Sequence, residues 1–317
     1  MPGTAPKQCP VCGAEIRSVG ASSEQIRQES DLRASFVTQR LGHRPDELEL
    51  MDLTRFMHGG PGRLLSCRIC GLLFREEDGP AHYEVDVYDP ELMKHMYPRY
   101  LRAFAEKTQY RPILRDNAEV LEVGSHLGAF LEVAEQWGWR PTGLDIGVAT
   151  SQFARRKGAT VKRLPMEDYS PRCRPDAVFI WNCFEQLEDP SAALRETHRL
   201  LAPQGLLTVR VPNAGFYRYA LEQLKNEHRG RQLRLLGYNN LLAFPYLYGY
   251  TPSLLTRFLR VNGFTPIASH PSSLLTPPYP DLSRKIKSEW REVRRDGETA
   301  PVGSSPWIEI VSRRTES

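Results

Sequence analysis

The sequence predicts an α/β chain: a seven-stranded, doubly wound, mainly parallel sheet preceded by a small cysteine-bearing module. Three observations carry that expectation. Seven strand-like runs succeed one another ("AEVLEVG", "RPTGLDIG", "TVKRLP", "DAVFIWNC", "GLLTVRVP", "FTPIAS", "WIEIVSR"), with helical segments fitted between them. Strands alternating with helices of about ten residues argue for a parallel sheet covered on both faces. The first run continues as "VLEVGSHLGAF", a strand that turns at glycine and enters a helix. Two C-x-x-C pairs stand ahead of the alternation.

Along the chain, residues 1–80 read as a zinc-binding module with a helical insertion, 81–116 as a helical lid or linker, and 117–317 as the sheet domain. Within the first part, "SEQIRQESDLRASFVTQRLG" has a helical pattern closed by Gly42 and followed by Pro45. "HGGPG" at 58–62 is a turn cluster that delivers the chain to "RLLSCRICGLLF". The linker segment "YEVDVYDPELMKHMYPRYLRAFAEKTQY" is aromatic-rich with helical period, and Pro112 closes it. In the sheet domain the spacing predicts helices over 128–137, 148–157, 190–201 and 252–262. A long insertion with the basic stretch "LSRKIKSEWREVRR" separates the last two strands.

Composition excludes several classes. The 317 residues are 40% apolar and 25% charged, ordinary for a globular enzyme. A net charge of +4 with interspersed signs does not by itself imply nucleic acid. No apolar run approaches the roughly 18 residues of a bilayer span, and "MPGTAPKQCPVCG" lacks the apolar core of a secretion signal, so a cytoplasmic protein without membrane contact is expected.

In a reducing compartment the four cysteines Cys9, Cys12, Cys67 and Cys70 favour a metal over disulfides. Two knuckles, each offering two thiolates, suit one tetrahedral Zn²⁺. Cys12 and Cys67 lie 55 positions apart, so an insertion sits between the knuckles. With all four ligands from protein, the ion is expected to be structural and to supply folding free energy of order 10 kcal/mol. A redox C-x-x-C is usually single and opens a helix, which neither pair does. Cys173 and Cys183 read as ordinary thiols.

The glycine turn limits the ligand. A dinucleotide fingerprint G-x-G-x-x-G needs glycine at 126 and 129, where His126 and Ala129 stand, and no G-K-[ST] is present for a triphosphate. Glycine at 124 permits a backbone conformation closed to other residues and lets a ligand approach. Glu122, just before the turn, would repel a pyrophosphate but suits a positive charge. Asp145, in "GLDIG", ends the next strand, where an acid can hydrogen-bond ribose hydroxyls. A nucleoside with a cationic tail, S-adenosylmethionine, matches both.

Taken together these motifs resemble class I S-adenosylmethionine-dependent methyltransferases, with their Rossmann-like fold. "EVGSHLG" is similar to that family's first motif and "LDI" to its second. "LPMEDY" resembles the segment after the third strand, and "PDAVFIWNCFEQLEDPSAALRETHRLLAPQGLLTVRVPN" resembles the fourth-strand block with the helix and strand that follow. "YGYTPSLLTRFLRVNGF" is similar to a late helix. The likeness runs from about Asn117 to Arg313, five motifs in order. It implies cofactor contacts at Glu122, Gly124, Ser125, Gly128, Asp145, Ile146 and Asn182, with Met166 and Glu167 flanking the adenine. "CPVCG … LLSCRICGLLF" resembles the N-terminal zinc module of a bacterial group that methylates sugars and natural-product intermediates, implying a small-molecule acceptor.

The sequence departs from the family pattern at His126, which replaces a glycine, and at the pairs Trp181-Asn182 and Glu185-Gln186, which stand where W-H and E-H are usual. Both histidines that serve as bases in relatives are thus absent. Glu185 becomes the candidate base; Asn182 cannot take a proton, His126 serves the loop, and His198 is expected on a helix surface. The segment 215–250, with "MYPRYLRAF", is expected to close over the acceptor through aromatics such as Tyr97, Tyr100, Tyr217, Tyr219 and Tyr246. An RNA methyltransferase using the basic stretch is the alternative enzyme, although base-stacking aromatics are not evident near the cysteines. An interaction module on a degenerate fold is disfavoured by the intact Glu122, Gly124, Gly128 and Asp145.

Overall fold

Strands dominated by Val, Leu, Ile and aromatics, without alternation, are buried on both faces, and the central run "AVFIW" is buried at all five positions. In the computed structural model, described over residues 8–16, 19–21, 46–47, 63–76, 89–218, 247–272 and 307–315, the chain divides into two units. The expected helix at 23–42, the turn at 58–62, residues 219–246 and the basic stretch 282–295 lie outside the described residues.

One unit gathers Tyr83–Arg210, Leu259–Pro278 and Glu309–Ser317. It opens with helix α1 (Pro90–Ala105), which starts where sequence chemistry requires: Asp89 accepts the Glu91 N–H at 2.7 Å and Pro90 takes the first turn. Then follow β4 (Glu119–Val123), α2 (Ala129–Gln136), β5 (Arg140–Leu144), α3 (Val148–Arg156), β6 (Val161–Lys162), β7 (Ala177–Trp181), α4 (Pro190–Leu200) and β8 (Leu206–Pro212). The "DP" of the fourth-strand block caps α4, Asp189 accepting from Ala192 N–H at 2.9 Å. Helix α5 (Pro252–Val261) precedes β10 (Phe264–Ser272), and β11 (Trp307–Arg314) ends the series.

The seven strands lie in the order β10-β11-β8-β7-β4-β5-β6. β4 pairs in parallel with β5 on one side and β7 on the other, Glu122 opposite Gly143 and Phe179. The chain order therefore reverses direction at β4, and the carboxyl ends of β4, β5 and β7 come out level. Open α/β sheets bind ligands at such a switch point, outside the carboxyl ends of the strands. Arg314 N–H donates to Gly205 O at 2.8 Å, so the end of β11 meets the start of β8 and the last strand runs against its neighbour. One face of the sheet is floored by aromatics: Phe130 and Phe179 (4.8 Å between centroids), Phe179 and Trp181 (5.5 Å), with Tyr110 at 5.4 Å from Trp181.

The other unit gathers Met1–His82, Val211–Phe258 and Tyr279–Ile308. Its four-stranded sheet runs β1 (Val19–Ala21), β2 (Leu64–Ser66), β3 (Leu73–Arg75), β9 (Tyr248–Gly249). β2 and β3 form an antiparallel hairpin whose turn carries Cys67 and Cys70, and β9 pairs along its far edge, Leu73 opposite Gly249. Residues just after β8 thus count with the cysteine hairpin in this division rather than with the seven-stranded sheet. No helix among the described residues is long and apolar enough to cross a membrane.

Candidate functional site

The glycine turn forms because β4 ends beside β5: the N–H groups of Gly124 and Ser125 both donate to Leu144 O at 2.9 Å. Gly124 takes φ +74°, and a Cβ there would lie 2.7 Å from the Cβ and Sγ of Cys183. The glycine is required by the left-handed backbone, as its place in the turn predicts, and also by the cysteine behind it, a contact that its local sequence does not announce. Gly128, at φ +76°, would place a Cβ 2.9 Å from that of Ala154, so it seats α2 against α3. His126 holds φ +49° without being glycine, and its N–H donates to Asp145 Oδ2 at 2.6 Å. Its ring stands edge-on to Tyr100, 5.6 Å between centroids. Neither α2 nor α3 has a side-chain cap, so their first amides stay available at the carboxyl edge.

Three acids gather at this edge. Glu122 is 2% exposed, and its Oε2 accepts no hydrogen bond among the described residues. Burial, and then the charge of Asp145, hold its carboxyl well above the usual range. Asp145 has bonds of its own: Oδ1 accepts from Gly147 N–H (2.8 Å) and the Thr150 hydroxyl (2.7 Å), and Oδ2 from His126 N–H. Burial raises its pKa and those bonds pull it back. Glu185 is fully buried, and no other described residue hydrogen-bonds either of its oxygens. Burial pushes its pKa up to about 8, against smaller opposing pulls from its own main-chain N–H and the Arg210 charge. Cys183 lies among all three, their charges adding to the burial that raises its thiol.

The other expected positions differ in burial and contacts. Ile146 is 48% exposed, an apolar side chain open beside Asp145. Ser125 is buried, its hydroxyl turned toward the Cα of Gly143. Met166 is buried with its sulfur against the Thr197 hydroxyl (3.6 Å) on α4, while Glu167 is exposed. Tyr97 is buried on α1, its hydroxyl donating to Glu132 and its ring edge-on to Phe153 at 5.5 Å. Tyr217 is also buried; Tyr219 and Tyr246 lie outside the described residues. His198 is half-buried, packed edge-on against Phe264 at 5.6 Å rather than free on a helix surface.

A second cluster was not anticipated from sequence. Glu309, on β11 and 1% exposed, accepts from the Tyr110 hydroxyl at 2.6 Å and from the Lys107 ammonium, and Arg210 Nε stands 3.5 Å away. Burial alone would raise Glu309; the charges of Lys107 and Arg210 outweigh it and lower its pKa. Arg210, wholly buried on β8, also donates from Nη1 to Asn182 Oδ1. Lys107 Nζ lies 5.1 Å from the Trp181 ring centroid. Asn182 holds φ +52°, and its main-chain carbonyl accepts from Gln186 Nε2. The available signal was one charge inside each of two otherwise apolar strands, "TVRVP" and "WIEIV".

The cysteines converge. The Sγ atoms of Cys9, Cys12, Cys67 and Cys70 lie within 4.8 Å of one another, with Cys9–Cys70 and Cys12–Cys67 at 3.6 Å. A tetrahedral ion with bonds of about 2.3 Å has S···S edges of about 3.8 Å, so the cluster has the dimensions of a four-thiolate zinc site. The two knuckles repeat one main-chain pattern: Gly13 N–H to Cys9 O (2.8 Å) and Gly71 N–H to Cys67 O (3.0 Å). The amide that turns toward a sulfur is that of Cys70, 3.5 Å from Cys67 Sγ. In the same unit, Arg218 donates to Ser66 Oγ (3.1 Å) and Cys67 O (3.4 Å).

The fit of S-adenosylmethionine can be tested on these groups. Glu122 is a buried acid whose Oε2 has no hydrogen-bond donor among the described residues. A ligand bringing positive charge answers it; a pyrophosphate does not. The chain matches the family model described as "Methyltransferase domain" over residues 93–269, more than half its length. No curated protein matches it. Among solved structures it is similar to a chain of the Haloferax volcanii complex containing the Trm112 methyltransferase activator (TM-score 0.50, 14% identity, 71% of this chain and 93% of that one). An S-adenosylmethionine-dependent methyltransferase from Mesorhizobium loti gives TM-score 0.47 at 17% identity, over 68% of this chain and 100% of that one. The plantazolicin methyltransferase BpumL with SAH gives 0.44 at 16%, over 72% and 91%. Likeness at such identity speaks to fold. The family match, joined to strand order, glycine turn and acids, settles the assignment: the chain belongs to the methyltransferase-domain family and is an S-adenosylmethionine-dependent methyltransferase.

Proposed function

We propose that this enzyme moves the methyl group of S-adenosylmethionine to a small-molecule acceptor, a sugar or natural-product intermediate, and that Cys9, Cys12, Cys67 and Cys70 hold a structural Zn²⁺. The division into a zinc module (1–80), a linker (81–116) and a transferase domain (117–317) and a cytoplasmic location belong to the same reading. The single observation behind it is the buried, unanswered Glu122 at the carboxyl end of β4, with Asp145 alongside. When bound, the cofactor supplies an activated methyl carbon. Glu122 is assigned to its cationic end, Asp145 to the ribose, and Ile146 to one face of the adenine. Gly124, Ser125 and Gly128 are assigned to the turn that receives the cofactor, and Met166 and Glu167 to the flanks of the adenine. Asp145 must exchange one of its loop bonds to serve the ribose. Glu185 is the candidate base, its depth keeping it from bulk water until an acceptor enters.

Trp181 and Glu185 are buried and Asn182 is half-buried, which favours a small acceptor over a polymer; the basic stretch 282–295, on which an RNA reading rests, lies outside the described residues. Calorimetry of the zinc-loaded protein tests the proposal: binding of S-adenosylmethionine and indifference to NAD are expected. Uptake of NAD alone would overturn it, and RNA affinity falling steeply with salt would move the acceptor to nucleic acid.

A further inference from the structure

The groups around Asn182 bear on the atom that is methylated, given the transferase reading above. Arg210 carries only donors, so the side-chain atom of Asn182 that meets its Nη1 is necessarily the carbonyl oxygen Oδ1. The amide is thereby fixed, and the end left for the site is Nδ2, a donor. The backbone is fixed as well: Gln186 Nε2 binds the Asn182 carbonyl, and Asn182 sits in the left-handed region at φ +52°. Behind Arg210, Glu309 holds the guanidinium in place, itself bonded to Tyr110 and Lys107. In the same turn, the carboxylate oxygens of Glu185 accept no hydrogen bond from any other described residue. The edge therefore offers one fixed N–H donor and one carboxylate acceptor.

We infer that the acceptor is an alcohol or phenol, its hydroxyl oxygen held by Asn182 Nδ2–H, and that Arg210 is the positioning residue that aims this donor. A hydroxyl oxygen has two lone pairs. One accepts from Asn182 while the other attacks the methyl carbon. A neutral amine has a single lone pair, and a hydrogen bond from Asn182 would occupy the electrons needed for attack. The balance closes on groups already named: the new O–CH₃ bond forms as the C–S⁺ bond breaks with its electron pair going to sulfur, and the hydroxyl proton passes to the ionised Glu185 carboxylate, directly or through one water. Asn182 is thus assigned to the acceptor rather than to the cofactor.

The test uses the full-length, zinc-loaded protein, methyl-labelled S-adenosylmethionine, and acceptor pairs differing only in hydroxyl against amine (phenol and aniline, cyclohexanol and cyclohexylamine, a hexose and its amino sugar). Mass spectrometry locates the label. Label on oxygen in a hydroxyl member, and none on nitrogen, is expected. N182D keeps a residue type tolerated at positive φ and its contact with Arg210 but presents an acceptor where the donor stood. It should lower kcat about 100-fold or more and leave the S-adenosylmethionine Kd within about twofold by calorimetry. N182H, whose ring accepts from Arg210 through one nitrogen and donates from the other, should retain kcat within about tenfold. Label on nitrogen, transfer to neither member, an N182D enzyme as fast as wild type, or a matching loss of cofactor affinity in N182D overturns the inference. Wild-type protein that does not bind S-adenosylmethionine at all is a separate failure, of the transferase reading itself.

Discussion

Replacing Glu122 with glutamine probes the cofactor assignment directly, because the structure gives the substitution opposite effects on two observables. In the empty site, burial and the neighbouring Asp145 favour the neutral acid. A cationic ligand favours the carboxylate, so binding below the raised pKa must expel a proton. Wild-type affinity should therefore rise with pH, and the calorimetric heat should depend on the ionisation enthalpy of the buffer. E122Q cannot ionise. It loses the proton release together with a charge-assisted contact of about 1.5–3 kcal/mol, which weakens the S-adenosylmethionine Kd about 10- to 150-fold. Stability moves the other way. An acid whose folded pKa lies above its unfolded value, about 4.3, contributes stability below that value and loses it as pH rises through the folded one. Removing it should make ligand-free E122Q melt above wild type on the alkaline side. Unchanged affinity with no buffer dependence would falsify the assignment, and lower stability at every pH would mark Glu122 as a structural residue.

Four further outcomes are expected. E185Q should cut turnover about 10²- to 10⁴-fold at unchanged cofactor affinity, and its stability should rise relative to wild type as pH climbs from about 4.3 to about 8; equal turnover removes Glu185 as the base. E309Q strands Lys107 and Arg210 and should cost about 3–5 kcal/mol, a fall in Tm on the order of 10 °C; the wild type's advantage should shrink in acid, since the Glu309 pKa is lowered, and a parallel pH profile would refute the charge argument. G124A should lose about 1–3 kcal/mol from backbone strain at φ +74° plus the overlap with Cys183, with C183G restoring only the overlap; full restoration would mean the backbone is not strained. Metal analysis should find one zinc per chain, removed by a chelator with a drop in melting temperature that C67S reproduces; zinc-free protein melting unchanged would sink the metal reading.

Much of this fold could be read in advance because its signals are local. The strand–glycine–helix unit, the "DP" start of α4 and the acids at strand ends each depend on a few adjacent residues. Helix bounds were close: 190–201 was expected and Pro190–Leu200 is found. What escaped was non-local. The position of β11 between β8 and β10 cannot be derived from the order in which strands occur. Nor could sequence pair Arg210 with Glu309, about a hundred residues apart, although a lone charge in an apolar strand announces that some partner exists. Gly124 was rightly singled out for its backbone but not for Cys183, which arrives from β7. The contact of Met166 with Thr197, 31 residues on, is likewise absent from its local motif.

The two charge clusters obey opposite rules, and the contrast explains the departures from the family pattern. Glu309 is compensated on several sides, by Lys107, Tyr110 and Arg210, and a buried ion so held is rigid. Glu122 and Glu185 lack hydrogen-bond partners on other described residues, which costs stability without ligand and fits the roles proposed for them toward groups that arrive. A histidine at 186 would set a second ionisable group one residue from Glu185. Gln186 instead ties down the Asn182 carbonyl and leaves the carboxylate alone in the turn. At 182, against the Arg210 guanidinium, an imidazole would be discouraged from protonation and so serve poorly as a base. On the roles proposed above, asparagine would provide a donor that does not titrate, and the proton would pass to Glu185, whose oxygens no other described residue hydrogen-bonds. Under the proposed reading, a site without the two histidines separates holding the acceptor, by Asn182, from taking its proton, by Glu185.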